Sequence, residues 1–162
     1  MSNYKKIIFV CRSNTSRSPM AEAIYKSMEE SNDIVVLSRG SVVLFSEPIN
    51  PKAEVVINNH NLVMEEHNAK QLKEEEIDDD TLVLTMSEAL KVEVIQEFPN
   101  TMNLYTLPEF VGENGDVVDP YGGTLAEYEA CFTELARLVK KTVYKINEKK
   151  YDIVLELNWR KV

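Results

Sequence analysis

Unbroken apolar runs alternating with segments of helical spacing constrain this chain more than any other feature. KKIIFV (5–10), DIVVLS (33–38) and TLVLTM (81–86) are each bounded by turn or helix-start residues. A strand with one face in water alternates polar and apolar residues, so runs of this kind mark strands covered on both faces, as in a parallel sheet. TMNLYT (101–106) reads as a fourth strand. After the first run, Pro19 suits the first helical position, and Met20, Ile24 and Met28 share one face of a helix reaching about residue 30. A second helix over 51–60 starts at Pro51, turns Ala53, Val56 and Ile57 inward, and can end on a left-handed Asn61. Ser87 can cap a third that carries Leu90, Val94 and Phe98 until Pro99 stops it. Thr124 and Glu127 have capping-box spacing ahead of the longest helix, whose stripe is Leu125, Tyr128, Phe132, Leu135, Val139, Thr142 and Ile146.

Strands alternating with helices require right-handed crossovers. The expected fold class is therefore α/β: a three-layer doubly wound domain with a central, about four-stranded parallel sheet and helices on both faces. The 162 residues, 44% of them hydrophobic, fit one domain spanning 1–162. Its tail, YDIVLELNWRKV (151–162), alternates well enough for an edge strand or a dimer contact, with Trp159 as an anchor. The oligomeric state stays open.

The charge balance narrows the partners. Eighteen Lys and Arg against 27 Asp and Glu give a net charge of -9, which repels nucleic acid and anionic membranes, so neither is expected as a partner. An anionic substrate would have to be held by local donors. The acidic run KEEEIDDD (73–80) reads as a solvated connection. Two cysteines, Cys11 and Cys131, cannot build a secreted disulfide framework, and the first apolar run is too short for a signal peptide core. A cytoplasmic location is expected. His60 and His67 have no cysteine or carboxylate at ligand spacing, so surface or capping roles are expected of them, and no metal site.

Ligands of doubly wound domains sit beyond the carboxyl ends of the strands. There stands FVCRSNTSRSPM (9–20), with Cys11 at the end of the first strand and a helix beyond. The small residues Ser13, Asn14, Thr15 and Ser16 let loop N–H groups converge at the positive end of that helix, and Arg17 adds a planar fork for two phosphate oxygens. The same surroundings favour the thiolate of Cys11, the nucleophilic form. Ser18 can donate its hydroxyl to the sulfur, and Asn14 can brace the loop or take a left-handed conformation. Arg12 can project toward an acidic substrate. In GDVVDPYGG (115–123) a proline fixes the chain beside Asp119, which can protonate a leaving group and then activate water.

These segments resemble the low-molecular-weight protein-tyrosine phosphatases. That family's pattern near the N-terminus is roughly V-C-x-G-N-x-C-R-S-P, with D-P near residue 120; the chain has VCRSNTSRSP and DPYGG, and MAEA, VLTMS and VGENGDVVDPYGG extend the likeness. The resemblance implies a hydrolase that removes phosphate from phosphorylated protein or peptide through a cysteinyl-phosphate intermediate and releases inorganic phosphate. Cys11 would be the nucleophile, Arg17 the phosphate-binding arginine, Asn14 and Ser18 the supports of loop and thiolate, and Asp119 the general acid. No cofactor and no metal are implied.

Two positions depart from the pattern. Ser13 replaces a glycine, which would strain a left-handed or tightly packed backbone there by about 1 kcal/mol. Ser16 replaces a cysteine, so the disulfide by which many relatives protect an oxidised nucleophile cannot form locally. Thr15 stands where the tyrosine branch usually carries a bulky aliphatic residue and where a branch resembling protein-arginine phosphatases carries threonine. A small polar side chain leaves room for a guanidinium, whereas Tyr121 and Phe45 could wall a phosphotyrosine ring. Phosphotyrosine is the general expectation and phosphoarginine the alternative. Further alternatives are an arsenate reductase, which needs resolving thiols where only Cys131 exists, and a non-catalytic phosphoprotein-binding module, which would need neither Cys11 nor Asp119.

Overall fold

The computed structural model describes residues 4–29, 31 and 33–159, with 149–159 as backbone alone. Four parallel strands, β1 (Lys6–Cys11), β2 (Val35–Gly40), β3 (Thr81–Thr85) and β4 (Asn103–Thr106), form one sheet in the order β2-β1-β3-β4. The order reverses at β1. Its register aligns Cys11 with Gly40 on one side and Val10 with Thr85 on the other.

The unbroken apolar run of β1 is explained by its two faces. Ile7 and Phe9 join Met20, Ile24 and Tyr25 of α1 (Arg17–Met28), Ala53, Val56 and Ile57 of α2 (Pro51–Asn59), and Tyr128, Phe132, Leu135 and Val139 of α5 (Leu125–Trp159) in the larger core. Ile8 and Val10 face the other way, against Leu72, Val83 and Val94, the last on α3 (Glu88–Glu97). Burying each of the Ile, Leu, Val, Met and Phe side chains among them contributes about 1.5–3 kcal/mol relative to leaving it in water. The three-layer α/β fold expected from the sequence is the one observed.

Local signals place the helix ends. The Ser87 hydroxyl accepts from the Leu90 N–H at the start of α3, and the Asn50 side chain accepts from the Lys52 N–H at the start of α2. Asn61 adopts φ 58 after α2, the left-handed ending anticipated. A short α4 (Leu107–Phe110), closed by a capping box between Thr106 and Glu109, was not anticipated. The first helix begins at Arg17, two residues before Pro19; a proline is tolerated throughout a first turn because those N–H groups have no helical acceptor. Leu125 is 43% exposed, so the buried stripe of α5 starts at Tyr128. In the acidic run, Glu76 is no solvated bystander: its carboxylate accepts from Arg39 Nε at 2.7 Å.

The tail overturns one expectation. Residues 151–159 continue α5 rather than forming an edge strand. Neither Gly nor Pro interrupts 125–159, and extending an existing helix adds a hydrogen bond per residue ordered without a new nucleus. The Trp159 side chain and residues 160–162 lie outside the described part of the structure. Among the described residues, no helix is long and apolar enough to cross a membrane.

Candidate active site

Residues 12–16 leave the carboxyl end of β1 and enter α1, with Ser16 at its N-cap. The loop's polarity follows from where its carbonyls go. Those of Cys11, Arg12, Asn14, Thr15 and Ser16 accept from the N–H groups of Ser41 and Val42, from His67 Nε2, and from the N–H groups of Asn50 and Met20. No backbone N–H from Arg12 to Ser18 finds an acceptor among the described residues. A loop with the carbonyls of Cys11, Arg12, Asn14 and Thr15 drawn to partners outside it turns its donors inward, and donors gathered at a helix N-terminus make an anion cradle. Gly40 permits the close packing behind the loop, because a Cβ there would lie 2.8 Å from the Arg12 carbonyl oxygen.

Asn14 holds the turn. It is fully buried with φ 58, Nδ2 donates to Ser18 Oγ at 2.8 Å and to Ser38 Oγ at 3.0 Å, and Oδ1 accepts from the Lys70 N–H at 3.0 Å. Bracing and left-handed backbone, set out above as alternatives, occur together. The strain expected at Ser13 does not arise on this account, because the left-handed residue is Asn14 and Ser13 has no positive φ. Ser13 is exposed and its hydroxyl bonds that of Thr15 at 2.9 Å.

Ser18 Oγ lies 2.9 Å from Cys11 Sγ. Ser18 accepts from Asn14, and its own hydrogen can point at the sulfur at 2.9 Å or at the more distant Arg39 carbonyl at 3.4 Å. Arg17, buried to 7% exposure, donates through Nη1 to the Val117 carbonyl at 3.0 Å and through Nη2 faces Asp119 Oδ2 at 3.6 Å. The other carboxylate oxygen of Asp119 accepts from the Tyr121 N–H at 3.1 Å. So a segment 100 positions away, joined through Val117, is placed opposite the loop by the arginine fork.

One cavity of about 320 Å³ is lined by Cys11, Arg12, Ser13, Thr15, Ser16, Arg17, Glu47, Asp119 and Tyr121. It gathers most of the residues singled out from the sequence. Asn14 and Ser18 act from behind, and Phe45, 76% exposed, is not part of the lining. Arg12 reaches outward to Glu93 at 3.6 Å. Glu47, His67 and Lys70 were not anticipated in these roles: their contacts run through a loop and a strap without helix or strand periodicity, and two of the three use backbone atoms or a lone ring nitrogen. Cys131 is buried, its thiol donates to the Val118 carbonyl at 3.7 Å, and burial above all pushes its pKa up to about 12. His60 stacks on Phe132 at 4.1 Å and bonds Glu129. Among the described residues no His, Cys, Asp and Glu group has the arrangement to hold a metal ion.

Comparison with known proteins agrees with this geometry. Residues 6–152 match the family model described as low molecular weight phosphotyrosine protein phosphatase. The chain is 39% identical over 136 residues to the low molecular weight protein-tyrosine-phosphatase PtpB of Staphylococcus haemolyticus, covering 84% of this chain and 96% of that protein. The YwlE arginine phosphatase from Geobacillus stearothermophilus superposes with a TM-score of 0.84 at 32% identity, over 91% of this chain and 96% of that one. A low molecular weight protein tyrosine phosphatase from T. tengcongensis gives 0.80 at 36% identity, over 86% and 98%. Matched over residues 6–152 and 39% identical to a relative across most of its length, the chain belongs to the low molecular weight protein-tyrosine phosphatase family.

Proposed function

We propose that this phosphatase hydrolyses phosphorylated protein or peptide through a cysteinyl-phosphate on Cys11. The observation that carries the reading is the Cys11–Ser18 contact of 2.9 Å beneath a ring of N–H groups that have no acceptor among the described residues. In the first step the thiolate attacks phosphorus, an S–P bond forms, and the bond to the leaving group breaks as Asp119 hands that group a proton. The loop N–H groups and the Arg17 fork stabilise the equatorial oxygens. In the second, Asp119 takes a proton from water, the oxygen attacks phosphorus, and the S–P bond breaks to release inorganic phosphate and restore the thiolate. Nucleophile, anion donors and acid all come from the chain itself.

The test is a series of aryl phosphates of rising leaving-group basicity, on wild-type protein and Asp119→Asn, with Cys11→Ser as blank. Cys11→Ser abolishes turnover with an unchanged circular dichroism spectrum. Loss of the acid lowers kcat by about 10²–10⁴ on poor leaving groups and far less on p-nitrophenyl phosphate. Equal losses along the series would remove Asp119 from the acid's role. Inertness on every ester combined with measurable phosphate binding would instead identify a binding module.

A second reading concerns the substrate. Thr15 and Tyr121 both line the cavity and Phe45 does not, so the small polar side chain suited to phosphoarginine is present while only one of the two aromatic walls suited to phosphotyrosine is. One relative is named for each class, PtpB and YwlE. Matched peptides carrying either phosphorylated residue, compared by kcat/KM, decide between them.

A further inference from the structure

Resting on the phosphatase reading above, we infer that Glu47 selects substrates by charge, favouring a leaving group that carries a cation next to phosphorus. Glu47 shares the cavity with Cys11, Arg17, Asp119 and Tyr121. The other ionised side chains of that lining are paired: Arg17 with Asp119 and Arg12 with Glu93, each at 3.6 Å. The Glu47 carboxylate has no hydrogen bond or ion pair among the described residues.

Its backbone is fixed. The Glu47 carbonyl accepts from the Ala69 N–H at 2.8 Å, the Ser46 hydroxyl donates to the Ala69 carbonyl at 3.2 Å, and Pro48 bridges to Asn68. The same strap grips the anion loop, since His67 and Lys70 both bond Asn14. The carboxylate is therefore mounted on the piece of chain that sets the loop's shape.

An unpaired anion at the mouth of an anion pocket opposes a phosphate dianion on a neutral leaving group. The opposition is offset when the leaving group brings its own positive charge. In phosphoarginine the guanidinium is bonded directly to phosphorus through nitrogen, and its planar fork matches a carboxylate in shape. A phosphotyrosine ring offers that carboxylate neither charge nor a donor. Specificity is a difference of two free energies, and Glu47 acts on both sides of it.

The experiment measures kcat/KM on phosphoarginine and phosphotyrosine peptides of one sequence, and on p-nitrophenyl phosphate, for wild type, Glu47→Gln and Glu47→Lys at low and high salt. The phosphoarginine-to-phosphotyrosine ratio falls about tenfold in Glu47→Gln, equivalent to about 1.4 kcal/mol, and further in Glu47→Lys. High salt lowers the wild-type ratio and leaves that of Glu47→Gln nearly unmoved. A merely structural role would reduce both substrates alike; normal turnover with an unmoved ratio overturns this inference alone. Wild-type protein inert on all three substrates overturns the phosphatase reading and this inference with it.

Discussion

Replacing Asn14 with alanine tests how much of the site depends on one side chain. Three hydrogen bonds disappear, the buried ones to Ser18 and Ser38 and the part-buried one from the Lys70 N–H. At about 1 kcal/mol each they account for about 3 kcal/mol. A non-glycine, non-asparagine residue held at φ 58 adds about 1 kcal/mol more. The expected loss of about 4 kcal/mol corresponds to about 8–16 °C in Tm for a domain of this size. Asn14→Gly removes the backbone cost and keeps the hydrogen-bond cost, so it should recover about a quarter of the loss. Turnover should fall in both, because Ser18 loses the Asn14 hydrogen bond that orients it and can turn its hydrogen from Cys11 Sγ to the Arg39 carbonyl, 3.4 Å away. Thermal unfolding followed by circular dichroism, with p-nitrophenyl phosphate turnover on the same samples, measures both effects. A Tm drop under about 3 °C with kcat unchanged in Asn14→Ala would refute the reasoning.

Mild peroxide should oxidise Cys11 without forming a bridge to Cys131, whose buried thiol, pushed up to about 12, stays neutral and so is a poor attacking group; a Cys11–Cys131 peptide pair in the mass spectrum would contradict this. Gly40→Ala should cost about 1–3 kcal/mol and reduce turnover, because the new Cβ would stand 2.8 Å from the Arg12 carbonyl and 3.2 Å from Asn14 Cβ. Unchanged Tm and kcat would show that the loop yields more readily than its bonding implies.

Strands and helices were legible because burial on two faces and on one stripe leaves different periods in the sequence. Ile7, Ile8, Phe9 and Val10 are all inaccessible, as an unbroken run in a central strand must be. Cys11, Arg17 and Asp119 were legible for a different reason: each is a chemically distinctive side chain beside a structural marker, a strand end, a helix start or an Asp-Pro turn. The fastening of the loop was not. Lys70 acts through its N–H, which every residue but proline possesses, and His67 through one ring nitrogen on a carbonyl 53 positions away. Glu47 sits in a segment with no period at all. The tail misled because Ile153, Leu155 and Leu157 alternate like a strand while a helix without breakers runs straight into them. Ser13 misled because the left-handed position in the turn is its neighbour, Asn14.

Fastening the carbonyls of Cys11, Arg12, Asn14 and Thr15 to Ser41, Val42, His67 and Asn50 joins the loop to three segments distant in sequence, so that loop and segments open as one cooperative unit. Amide hydrogen exchange then separates into two populations. The N–H groups of Ser41, Val42 and Asn50, whose acceptors are loop carbonyls, exchange only when that unit opens. Those of residues 12–18 exchange freely until an anion takes their protons as partners, so the gain in their protection on adding phosphate counts the donors that the cradle lends to its ligand.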